Sequence, residues 1–488
     1  MALNGLRICW GVKVRGNKRL QCGESVNDPK TIEEVMKLIN EFLRRVEKHK
    51  GVLLSESVTP FDKTINELDT WLTSMEEKAK ENNDPTIAEL RKAMIEAAKK
   101  MIELVRQARE KWLRTYRREL EELIEKLRRG EATIIMRGEP FNENESFIIY
   151  IYTEHLTIRM HKMAKEKGIT MAIALKKLKG IHVITPNTLK NNISKAIRYG
   201  LLLTDGSVIQ NRPEMSTVYL WQSIIWALAW SNKVYIHIDN VNINNDIKVK
   251  LCLVSINNKV KDKIKIVRKI LNMNEKDFLI FLLAAVFGDG NIDIEKRRVR
   301  LTIGDSKYET WGNITKRLRE CGFDEDDKKD VKVFEIRSFK AVALAQRWLN
   351  NQEVATIIKD LSALPDGEKL RNLIMLANIR VKQKGRWSIS IIDSISMNVH
   401  VRQDGSVELR TNRKSFEDAK AIWEKLRGAN YEAELSKQGK KFVVYMNMST
   451  IKKYPELVIK VCEVLKRMRE EATKAMRRLN CPAQGPWA

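Results

Sequence analysis

Apolar residues recur at intervals of three and four along several stretches of the chain, and each such stretch predicts a helix with one buried face. The longest runs from Asp62 to Arg129, where Leu90, Ala93, Met94, Ala97, Met101, Leu104 and Val105 mark the apolar face. It breaks once, at Asn82-Asn83-Asp84-Pro85, where Pro85 suits the first position of a new helix. A long helical hairpin is expected, with its apolar face serving packing or a partner. Residues Ile32 to His49 carry a second helical pattern, after a strand-like Arg7 to Val14. Two further helices are strongly apolar and end alike: Ile197-Arg198-Tyr199-Gly200-Leu201-Leu202-Leu203-Thr204-Asp205-Gly206, and Phe281-Leu282-Leu283-Ala284-Ala285-Val286-Phe287-Gly288-Asp289-Gly290. Thr185-Pro186 is a good start for the first. Asn274 with Asp277 makes a capping pair for the second.

Between these helices the period changes to two, the signature of strands. After the first Asp-Gly come Thr217–Leu220, a helical Gln222 to Trp230, Val234–Ile238 and Ile247–Leu251. After the second come Arg298–Ile303, a helical Lys307 to Cys321, Val331–Ile336 and a helix from Phe339 to Leu349. The shared plan implies an internal duplication. Ahead of it, Ala132–Thr153 reads as strand and His161 to Lys179 as a Lys-rich helix. From Val381 a separate unit reads ββαββα: Val399, Val401, Val407 and Leu409 alternate across an Asp404-Gly405 turn, a helix capped by Ser415 ends at Gly428, and a final helix follows Pro455.

At 488 residues the chain has room for three or four domains of ordinary size. Its 89 Lys+Arg against 63 Asp+Glu leave a formal charge of +26, which points to a polyanionic partner, above all nucleic acid. The six cysteines are scattered singly, which implies a reducing compartment, and no leader pattern or long apolar span is present, so a cytoplasmic protein without membrane contact is expected. A charged fraction of 31% is compatible with a hot-growing source. The histidines show no zinc-ligand spacing, and no GxxxxGK[ST] loop occurs, so neither a zinc enzyme nor a nucleotide cofactor is expected.

The candidate chemistry lies at the ends of the twin helices. A carboxylate at a helix C-terminus meets partial negative charge, so Asp205 and Asp289 side by side require a cation. A divalent metal between paired carboxylates is what phosphodiester hydrolysis uses, so both are candidate ligands and catalytic residues for Mg²⁺ or Mn²⁺. The competing reading is an ordinary turn, since Asp-Gly recurs at Asp366-Gly367 and Asp404-Gly405. In Arg298–Ile303 period two places Arg298, Arg300 and Thr302 on one face, and Lys248 and Lys250 do the same in the first half; such basic faces suit the DNA major groove. From the run Lys259–Lys265, Lys261 is a candidate to stabilise developing charge at the scissile phosphate, and Lys263 to touch the DNA backbone.

The two helix motifs resemble the LAGLIDADG signature of homing endonucleases, over about Thr185 to Asn378. The resemblance implies an α+β fold with two LAGLIDADG-like αββαββ pseudo-repeats, here with an N-terminal helical hairpin region and a C-terminal ββαββα domain. It further implies that Gly200 and Ala284 form the close helix contact, that Asp205 and Asp289 share divalent metals, and that duplex DNA is gripped by a monomer with internal pseudo-symmetry. Arg198 and Tyr199 depart from the usual apolar or small residues of the motif. Segments such as Arg212-Pro213, Trp221-Gln222, Tyr235–Asp239, Leu364–Arg371, Met397–Val401 and Leu479–Pro482 are similar to the multicopy PaRep proteins of hyperthermophilic crenarchaea.

The expected divisions are a small N-terminal segment (1–60), the hairpin (61–130), a mixed connector (131–184), two repeats (185–275 and 276–378) and the C-terminal domain (379–488). Three functions follow as expectations: a metal-dependent DNA endonuclease, a DNA-binding protein of the archaeal family that no longer cuts, or an interaction protein whose hairpin docks a partner.

Overall fold

Strand alternation in the N-terminal third extends one large sheet rather than closing a small one. The computed structural model describes residues 6–80, 84–142, 144–164, 168–328, 330–379, 387–392, 395–439, 441–468 and 472–481. The chain divides into two compact units, Met1–Ile379 and Arg380–Ala488; the Val381 start expected for the second, the Asn82-Asn83 break and Pro482 lie outside the described residues. Both are mixed α+β, with three sheets among the described residues. No helix among the described residues is long and apolar enough to cross a membrane.

The large sheet of the first unit runs in the spatial order Gln21–Ser25, Arg7–Val12, Thr133–Arg137, Phe147–Tyr152, Leu156–Lys162, Ile169–Leu175, Val234–Ile243, Ile247–Ser255, Arg212–Thr217, Gly206–Ile209, and Ile181–Val183 also pairs with Val234–Ile243. Among the described residues the one parallel pairing in this sheet is Arg7–Val12 against Thr133–Arg137. Stretches expected as an N-terminal segment, a connector and a first repeat therefore share one layer. The helix expected over His161 to Lys179 is instead a strand pair, Leu156–Lys162 with Ile169–Leu175. Met171, Ile173 and Leu175 are buried while Thr170, Ala172 and Ala174 are not, so period two outweighs the lysines around them.

The hairpin consists of helix Asp62–Lys80 and helix Pro85–Lys111, prolonged through a π-turn at Trp112–Tyr116 into Arg117–Arg129. Pro85 stands at the helix start, and Asp84 caps it by accepting from Thr86 N at 2.9 Å. All seven apolar-face residues from Leu90 to Val105 named above are at most 1% exposed. That face is thus consumed within the chain, each large side chain contributing about 1.5–3 kcal/mol by burial, and it is not a surface for a partner. Trp71 donates its indole N–H to Asp360 O (2.9 Å) and Arg91 pairs with the Asp360 carboxylate (2.8 Å), fastening the hairpin to helix Gln352–Leu361.

The first apolar helix is Asn191–Leu203 and the second Glu275–Asp289. The second starts as expected, Asn274 accepting from Asp277 N at 2.9 Å. The first does not start at Thr185-Pro186: Thr185 instead donates its hydroxyl to Ala227 O (3.0 Å), and the helix begins six residues later. Beyond the first helix the strands lie in the order Gly206–Ile209, Arg212–Thr217, Ile247–Ser255, Val234–Ile243. Beyond the second, a separate antiparallel sheet has the order Gly290–Asp293, Arg298–Gly304, Val331–Arg337, Asp324–Lys328. The helix expected from Lys307 to Cys321 is split into Asp305–Trp311 and Ile314–Glu320 at Gly312, whose φ is +40°.

The second unit carries a five-stranded antiparallel sheet, with Ser388–Ile392 as a strand additional to the expected pattern. Gly405 (φ +84°) turns the hairpin between Ile395–Val401 and Val407–Arg413. Helix Phe416–Gly428 is capped by Ser415, and it ends past Gly428, with Asn430 taking the positive φ.

The cysteines correct a further expectation. Cys9 bonds to Cys22 and Cys462 to Cys481, leaving Cys252 and Cys321 free. Antiparallel pairing of Arg7–Val12 with Gln21–Ser25 brings the first pair together across 13 residues, a proximity that linear spacing does not reveal. Disulfides remove the argument for a reducing compartment, and because intracellular proteins of hyperthermophiles also carry them, they do not place the chain outside the cell.

Candidate functional site

The two apolar helices meet at a glycine from each, Gly200 facing Ala284 and Gly288 facing Thr204. A Cβ on Gly200 would lie 2.5 Å from Ala284 Cβ and 2.6 Å from Phe281 O, and one on Gly288 would lie 2.1 Å from Thr204 Oγ1. Only glycine permits backbones this close. The approach brings Thr204-Asp205 at the end of the first helix against Gly288-Asp289 at the end of the second, so that a Cβ on Gly288 would also lie 3.3 Å from Asp205 Oδ2.

The oxygens at this meeting point are held by nitrogen donors. Gln222, buried in helix Leu220–Ala229, donates its side-chain N–H to Asp205 Oδ2, and the Thr217 hydroxyl fixes the Gln222 carbonyl. Lys307, from helix Asp305–Trp311, donates to Asp289 Oδ2 at 2.8 Å and to Thr204 O at 2.9 Å. Lys369 caps the second helix through Phe287 O (2.9 Å), Gly288 O (3.3 Å) and Val286 O (3.4 Å). Lys263 donates to Gly206 O at 2.8 Å. These ammonium groups answer the negative end of each helix dipole.

Desolvation pushes the Asp205 carboxyl above its ordinary range; the Gln222 hydrogen bond opposes it, the neighbouring Asp289 adds to it, and Lys369 and Lys307 oppose it. The Asp205 residue as a whole is nevertheless solvent-exposed, so solvent screening moderates this rise. Lys369 is pushed down by burial against the pull of both aspartates, and Lys263 by burial and by Lys307 beside it.

A Mg²⁺ or Mn²⁺ ion takes about six oxygen ligands in near-octahedral array. Here Asp205 Oδ2, Asp289 Oδ2, Thr204 O and Gly288 O each accept from nitrogen, and three lysines surround two aspartates. As arranged, these residues do not fit a resident divalent cation. Among the described residues no group of three or more His, Cys, Asp or Glu is placed to hold a metal.

The remaining candidates are scattered. Lys261 is exposed, and the lysine of its run that turns to the centre is Lys263. Arg298 and Arg300 are held by Glu335, a carboxylate 5% exposed, and Arg298 also by Asp293 at 2.9 Å. Both guanidinium groups are thus tied into the sheet by hydrogen-bonded ion pairs. Lys250 pairs with Asp239 at 3.6 Å, and Lys248 is exposed. Sequence reasoning missed Gln222, Lys307 and Lys369. Gln222 and Lys369 lie within the Trp221-Gln222 and Leu364–Arg371 segments, but nothing in their spacing points to Asp205 or Asp289.

No protein-family model matches the sequence, and no curated protein matches it. Among solved structures, the crystal structure of full-length DUF199/WhiA from Thermatoga maritima is matched over 60% of this chain and 88% of its own, at 9% identity and a TM-score of 0.22. A likeness this slight carries neither fold nor function.

Proposed function

We propose that the protein binds duplex DNA on a scaffold of two LAGLIDADG-like αββαββ pseudo-repeats, as a monomer, without cleavage by a resident metal. The observation that carries the scaffold is the recurrence of one strand order. Numbering the four strands after each apolar helix by sequence, both lie first, second, fourth, third, all antiparallel. The glycine-mediated contact of the two helices supports the same reading. The charge of +26 supplies the attraction to a phosphate backbone. The lysines at Asp205 and Asp289 favour the non-cutting form, the state expected of a decayed relative of the archaeal PaRep type, over Mg²⁺-dependent hydrolysis.

Fluorescence anisotropy with labelled duplexes, including fragments of the source genome, tests this across about 50–300 mM salt, a range over which phosphate contacts weaken binding steeply. Log affinity should fall linearly with log salt, unchanged by EDTA, with no nicked product at elevated temperature with Mg²⁺. Absence of binding at the lowest salt would remove the DNA reading, and metal-dependent nicking abolished by Asp205→Asn/Asp289→Asn would replace it with the endonuclease.

A further inference from the structure

The centre already contains a cation. Lys307 reaches it from the second half of the fold and makes one bond to each helix end, to Asp289 Oδ2 at 2.8 Å and to Thr204 O at 2.9 Å. A metal joining the two helix ends would need oxygens from both; Lys307 takes one carboxylate oxygen of Asp289 and the carbonyl of Thr204, next to Asp205, whose Oδ2 Gln222 holds. We infer that Lys307 is the resident cation of this site: its ammonium joins the two helix ends and excludes divalent ions from the carboxylate pair.

The physical basis is charge and space together. An ammonium in contact with both oxygens occupies the bridging position, and a divalent ion brought beside it meets strong like-charge repulsion across a few ångströms. Lys369 and Lys263 add to that repulsion, since each stands close enough to interact with the aspartates or with Lys307. The tether is short: Lys307 lies three residues beyond strand Arg298–Gly304, so the sheet itself delivers the ammonium to the helix ends. A lysine cannot dissociate as a bound ion does, and chelators therefore leave the site unchanged.

The inference stands independently of DNA binding, because its test contains no DNA. Mn²⁺ binding is followed by electron paramagnetic resonance of the free ion on the full chain. Wild type should bind Mn²⁺ no more tightly than the Asp205→Asn/Asp289→Asn variant. Lys307→Met keeps the apolar stem and removes the charge, and it should bind Mn²⁺ at least about tenfold more tightly, as removal of one adjacent unit charge allows. Adding Asp289→Asn to Lys307→Met should abolish the gain. A wild-type Mn²⁺ site lost in the double aspartate variant would overturn the inference, as would a folded Lys307→Met chain with no gain. Should Lys307→Met fail to fold by circular dichroism, Lys307→Gln replaces it and is read in the same way.

Discussion

Gly288 sits directly against Thr204 at the crossing of the two apolar helices, with room for a hydrogen and nothing more. A Cβ there would fall 2.1 Å from Thr204 Oγ1 and 2.5 Å from Thr204 Cβ. The threonine hydroxyl cannot simply swing away, because it donates to Gly200 O at 2.9 Å. Gly288→Ala should therefore lower stability by about 1–3 kcal/mol, the usual cost of overpacking, even though alanine favours helix. Gly200→Ala, which meets Phe281 O at 2.6 Å, should behave alike. Urea unfolding followed by circular dichroism measures both, and an unchanged midpoint would contradict the close crossing.

Glu335 is the common partner of Arg298, Arg300 and Arg337. Glu335 and Arg298 are nearly buried whereas Arg337 is exposed, so Glu335→Gln chiefly weakens the pairing of Arg298, which keeps Asp293, and should cost at most about 3 kcal/mol. The denaturant midpoint should drop with its slope preserved.

Asp366 provides a pH signature. Desolvation pushes its carboxyl up to about 6 from 3.8; the Leu220 N–H that it accepts opposes the rise, and Glu67 reinforces it. The folded state therefore holds this proton more tightly than the unfolded chain. Its contribution is full below pH 3.8 and declines as pH rises through about 6, by at most about 3 kcal/mol. Asp366→Asn keeps an acceptor for Leu220 and has no charge to bury. It should be more stable than wild type at pH 7, and the difference should vanish near pH 4, as read from thermal midpoints across pH.

Exposed and neutralised basic residues should separate in DNA binding. Lys248 is exposed, whereas Arg300 is held by Glu335. If Lys248 meets phosphate, Lys248→Ala should reduce the log–log salt slope by about 1 and leave the fold intact. Arg300→Ala should lower stability and leave the slope alone. The reverse pattern would place the DNA on the other sheet.

What the sequence determined by itself was local. Apolar period, Pro85 behind Asp84, Asn274 with Asp277 and Ser415 with Asp418 locate helices and their caps, because those interactions span one or two turns of the same segment. The placing of Asp205 and Asp289 at helix ends is equally local. Tertiary structure decided everything that depends on distant chain meeting. It joined residues 7–25, 133–183 and 206–255 in one sheet, turned His161–Lys162 and Ile169–Leu175 into paired strands, and coupled Cys9 to Cys22. It also chose which cations reach the carboxylates. Lys307 arrives at the first helix end from 103 residues away in sequence and Lys369 at the second from 82, and their contacts follow from sheet register and helix crossing, which spacing along a chain does not encode.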